Sequence, residues 1–172
     1  MFYLDKEITS EMLEKYIDIY RTTYLQRLQK LKRYYDCKND AIMSRSFKDT
    51  TKPNNKIASP WSNYITTLST GYFMGRPVTY STPNDTLNEY LHKNNSKEIS
   101  HNAAIEKDCS VYGIAAEILY INDKKEVDFA RVEPTSIIPI YSTSIDKKLR
   151  YVIRFWEDVD ILSDKSTTHI EV

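Results

Sequence analysis

Few side chains in this chain could carry bond chemistry. They are His92, His101 and His169, Cys37 and Cys109, and the carboxylates Glu117, Asp128 and Glu133 on a predicted hairpin. Metal-dependent strand scission needs carboxylates converging from such a hairpin, with a lysine beside the second. Glu117 is followed two residues later by Leu119, and no lysine comes before Lys124. Asp128 and Glu133 straddle the return strand. Exposure is the default for Asp and Glu, so these three read as hairpin surface charge. The histidines lie far apart and form no zinc-type spacing with either cysteine. Cys109 sits on a predicted helix among small residues and reads as a buried structural thiol. There is no G-x-S-x-G elbow and no glycine-rich phosphate loop, and three glycines in all leave little room for one. No catalytic residue, cofactor or metal is assigned, and the chain reads as something other than an enzyme.

The other chemistry open to it is phosphate contact. Arg27, Lys30, Lys32 and Arg33 precede Tyr34 and Tyr35. Cations interleaved with aromatics can track a nucleic-acid backbone and stack bases. A small nucleic-acid-binding protein using residues 27–35, with Lys30, Lys32 and Arg33 in contact, is therefore the alternative reading. Against it, a helix C-terminus attracts cations by itself. The chain also balances 24 basic against 24 acidic residues, whereas autonomous binders usually carry a basic excess.

These residues must be held by regular elements. Leu13, Ile17, Tyr20, Tyr24, Leu28, Leu31 and Tyr35 step by threes and fours, which predicts one amphipathic helix over 10–35. The β-branched pair Thr22-Thr23 marks a point of weakness in it. Residues 36–56 read as a polar loop with a short extended piece at 41–43. In 55–78, Ser59 is a candidate N-cap and Pro60 a candidate first helical residue. Gly75 is a candidate left-handed C-cap, and Pro77 blocks resumption. Trp61, Ile65, Leu68 and Tyr72 share one helical face. Gly71 and Gly75, one turn apart, would let another backbone approach.

A strand at 78–81 follows, then a helix from Asp85 ended by Asn94-Asn95. A second helix runs from Ser96 to a C-cap at Gly113. The period then changes. Strands are predicted at 115–121 and 127–132 with a turn between them. A third lies at 137–141, at a sheet edge because of Pro139. A fourth ends at Trp156, and a tail pairs briefly at 159–162 before fraying. Helices first and an antiparallel sheet after make the class α+β.

The segment 54–78 resembles the portal proteins of tailed bacteriophages, of the long-tailed type infecting Gram-positive hosts. The likeness is carried by Asn54, Asn55, Lys56, Ile57, Tyr64, Ile65, Gly71, Tyr72, Gly75, Pro77 and Val78. Tyr34-Tyr35, Tyr112-Gly113 and the run 117–120 agree in order and spacing. After Tyr35 the family pattern has a glycine where this chain reads Asp36-Cys37-Lys38. The resemblance implies a structural subunit segment from the wing-like region of a ring of about twelve copies. Double-stranded DNA would enter and leave the capsid through that ring. Partners would be sister copies, the packaging motor (terminase), neck connectors and capsid proteins, at the virion vertex or in the host bacterial cytoplasm.

Family members run longer, with stem, clip and crown following, so the resemblance also implies a truncated product. One wing-like domain is expected over 1–172. It would comprise helix and polar loop (1–56), helical part (57–113), sheet (114–162) and tail (163–172).

A chain of 172 residues suffices for one modest core. No signal-peptide apolar region opens it, and no apolar run approaches the roughly 20 residues that span a bilayer. Fourteen tyrosines fit subunit contacts, and fit core boundaries equally well.

Overall fold

The structure is a computed structural model that describes residues 2–49, 51–160 and 165–172. It forms two compact units, one from Met1–Leu28 with Val132–Val172 and the other from Gln29–Arg131.

In the first unit, β1 (Phe2–Tyr3) lies parallel to β4 (Ile137–Tyr141). β4 pairs antiparallel with β5 (Leu149–Asp160), and β5 with β6 (Lys165–Glu171). Alternation along β4 and β5 sends Ile138, Ile140, Ile153 and Phe155 to one face. There they meet Ile17 and Tyr20 of the N-terminal helix. Ile138, Ile140 and Ile153 are fully buried, each worth about 1.5–3 kcal/mol.

That helix runs as α1 (Ser10–Ile19), a π-helical turn (Tyr20–Tyr24) and α2 (Leu25–Tyr35). The wide turn falls on the threonine pair marked in the sequence. Thr22 Oγ1 donates to the Asp18 carbonyl and Thr23 Oγ1 to that of Ile19, so both hydroxyls compete for backbone acceptors. The Leu25 N–H reaches back to the Tyr20 carbonyl, and Leu25 packs on the core beside Tyr20.

In the second unit, α3 (Asp40–Met43) is followed by α4 (Trp61–Met74) and α5 (Asp85–Tyr112). A hairpin of β2 (Ala116–Ile121) and β3 (Val127–Val132) forms a separate two-stranded sheet. A 3₁₀ turn at Pro134–Ser136 leads into β4.

Several expectations are corrected. Residues 41–43 are helical, because Asn39 caps the turn by accepting from the Ala41 N–H. Pro60 is itself the N-cap of α4, and Ser59 makes no capping bond. Gly75 is right-handed, with φ −67°. Its lack of a Cβ matters for another reason: one would lie 2.4 Å from the Gly71 carbonyl oxygen. Residues 78–81 are not a strand.

The two helices expected around Asn94-Asn95 are one, since no glycine or proline interrupts 85–112 and asparagine breaks a helix only weakly. β4 is not an edge strand. However, β1 covers only Ile140 and Tyr141, so Pro139 lies beyond its end, where a missing N–H costs little. β5 continues past Trp156, and residues 165–171 pair with it rather than fray. The briefly paired stretch expected at 159–162 falls partly outside the described residues. Gly113 is the expected left-handed C-cap, at φ +75°.

Candidate functional site

The motif segment is built from a loop and a helix. Arg45 ties the loop together: its Nη2 donates to the Asn55 carbonyl at 2.8 Å and its Nε to Asn54 Oδ1 at 3.3 Å. Asn54 Nδ2 returns a bond to the Arg45 carbonyl at 2.8 Å. Lys56 Nζ donates to the Met43 carbonyl at 2.6 Å. The polar residues before α4 therefore brace a loop.

α4 is turned inside out. Its polar side faces α5: Thr66 is buried, Ser110 Oγ donates to Thr66 Oγ1, and Ser69 Oγ donates to Glu106 at 3.1 Å. Its apolar side faces outward. Trp61, Tyr64, Ile65, Leu68 and Tyr72 are between 57% and 84% exposed. A Cβ at Gly71 would meet nothing within 4 Å, so no backbone approaches it among the described residues. Beyond the helix, Pro77 lines a recess of about 50 Å³ with Phe73, Met74, Arg76, Val78 and Ile99. That is well below the few hundred Å³ of a usual ligand site.

Tyr112 is buried at the end of α5. Asp108, also buried, takes both a bond from Arg131 Nε and one of 2.7 Å from Arg131 Nη2. This pair fixes the hairpin on α5, and sequence spacing gives no sign of it.

The carboxylates weighed for catalysis are spoken for separately. Glu117 meets His101 Nε2 at 2.7 Å, with the His101 ring against Phe129. Asp128 is bonded by Lys97, which holds its carboxyl below the usual range. Among the described residues no three of His, Cys, Asp and Glu cluster as a metal would need. Cys109 is exposed, not buried as expected. Partial desolvation, then Glu106 and Asp108, raise its pKa and keep it a thiol. His169 stacks on Trp156 and meets Asp158 at 3.0 Å.

Lys30, Lys32 and Arg33 of the basic cluster are engaged within the chain. Lys30 lies over the Tyr34 ring, and Lys32 pairs with Asp36 at 2.5 Å. Arg33 grips Asp40 through two bonds of 2.9 Å, which lowers the Asp40 pKa. The turn after Tyr35 is closed by Lys38 N–H to the Arg33 carbonyl, with Cys37 at φ +60°. Cys37 thus occupies a left-handed position that suits glycine.

A family model described as phage portal protein, SPP1 Gp6-like, matches residues 13–172. The chain belongs to that portal family. It is also similar to the portal protein of Bacillus phage SPP1, 25% identical over 171 residues. That alignment covers 93% of this chain and 33% of the relative, so the chain spans about a third of the curated relative's length. Portal proteins are structural, which accords with a motif whose residues brace a loop, end a helix and cap another. No helix among the described residues is long and apolar enough to cross a membrane.

Proposed function

We propose that this chain is a wing-like structural segment of a phage portal, in a ring of about twelve copies at the capsid vertex. Double-stranded DNA would pass through that ring during packaging and ejection. The family match along 13–172 carries the reading. Asn55, Lys56, Tyr64, Gly71, Tyr72, Gly75, Pro77, Tyr112 and Gly113 then serve folding and subunit contact, and ATP hydrolysis belongs to the terminase. Sister copies, the terminase, neck connectors and capsid proteins are the partners.

The test is quantitative mass spectrometry on density-purified particles from the producing host. Peptides from 13–172 should travel with DNA-filled particles at a fixed ratio to capsid protein, near that of a single ring. Their complete absence from filled particles, with the chain found free in the lysate, would overturn the reading.

A further inference from the structure

We infer that the outward face of α4 binds the same face of a second copy of this chain, antiparallel, about a two-fold axis. The inference goes beyond the portal reading and does not depend on it.

The observation is the inversion of α4. A helix normally buries its apolar stripe and wets its polar one. Here Thr66 and Ser69 face α5 while Trp61, Tyr64, Ile65, Leu68 and Tyr72 face outward. With the exposures given above, these five offer on the order of 700 Å² of accessible surface, close to one side of a standard-size interface. Single exposed apolar residues are ordinary, but a contiguous patch this large marks a contact.

Three properties select a second copy as the occupant. First, the seam 61, 65, 68, 72 steps by four, three and four, which reads the same in either direction. Antiparallel apposition centred between Ile65 and Leu68 sets Trp61 against the other copy's Tyr72, and Ile65 against its Leu68. Both pairs then occur twice, as a two-fold contact requires. The same steps are those of a coiled-coil seam.

Second, residues 61–74 carry no charge, so like faces meet without repulsion. Third, bulk is unevenly placed. Trp61 and Tyr64 crowd the N-terminal end, while Gly71, with open space where a Cβ would be, leaves a hollow near the other. Reversal brings the rings of one copy over the hollow of its mate. A two-fold contact closes on itself, so head-to-tail contacts elsewhere stay available.

The test is sedimentation equilibrium of the full 172-residue chain over a concentration series, beside Ile65→Glu and Leu68→Glu. Both substituted positions are exposed, so circular dichroism should match wild type, and so should the thermal midpoint at concentrations too dilute for a dimer. Wild type should form a dimer, and each variant should weaken it by at least about tenfold, 1.4 kcal/mol. In a Cys37→Ser/Cys109→Ser background, Ile65→Cys should give a covalent dimer with a short bis-maleimide, and Ile145→Cys should not.

A chain that stays monomeric throughout overturns the inference, including one that is monomeric until another portal segment covers α4. So does a dimer untouched by either glutamate. None of these results bears on whether the chain is found in particles, which tests the portal reading separately.

Discussion

Arg131→Met should be the most damaging conservative change in the second unit. It removes the cation that bonds Asp108, whose side chain is 4% exposed, and leaves a carboxylate among packed groups. Breaking a buried pair from one side costs about 3–5 kcal/mol. Arg131 itself is about a third exposed, so water can relieve part of the loss, and about 3 kcal/mol is the better figure. Methionine keeps the length and apolar stem, so the cost is electrostatic rather than steric.

Urea unfolding followed by circular dichroism gives the free energy. The companion Asp108→Leu/Arg131→Met removes both charges and should recover most of the loss, because a buried pair is seldom better than apolar residues of similar size. A single-variant cost under about 1 kcal/mol, or a double variant no better than the single one, would refute the reasoning.

Gly75→Ala should destabilise by about 1–3 kcal/mol, since its Cβ meets backbone oxygen, while Gly71→Ala, facing open space in a helix, should stabilise by about 0.5–1 kcal/mol; thermal melts of the two should move in opposite directions. Cys37→Gly should raise stability by about 0.5–1 kcal/mol, the left-handed penalty relieved less the entropy glycine adds to the unfolded chain. Burial pushes the Tyr20 phenol up to about 12, from about 10 unfolded. The neutral phenol is favoured in the fold, so its stabilisation is full below pH 10 and lost as pH rises through about 12. Urea midpoints of Tyr20→Phe should therefore fall less steeply with pH across that window than those of wild type.

The helices and strands were legible where one period persisted. The stripe from Leu13 to Tyr35 drew the N-terminal helix, and Thr22-Thr23 located its irregular turn. The outward face of α4 was also drawn correctly. Which way that face points was left open, because periodicity finds a shared face and cannot say where it is aimed. Asparagines inside α5 looked like a boundary because local hydrogen-bonding residues signal caps and turns wherever they occur. Ser59 was displaced as cap by a proline that needs no donor. Of the motif glycines only the Gly113 cap was legible, since Gly75 is right-handed and no backbone nears Gly71 among the described residues. Arg45, Asp108 and Arg131 were not, since their partners lie nine or more residues away and no periodic rule links them.

The π turn has a consequence for how the N-terminal rod tolerates change in length. A step of five from Tyr20 to Leu25 keeps both against the core, where a regular helix would place the later residue about 140° round from the first. One surplus residue is thus absorbed inside a continuous helix. Deleting either threonine would leave a regular rod in which Tyr20 and Leu25 stand four apart and still turn their greasy flanks the same way.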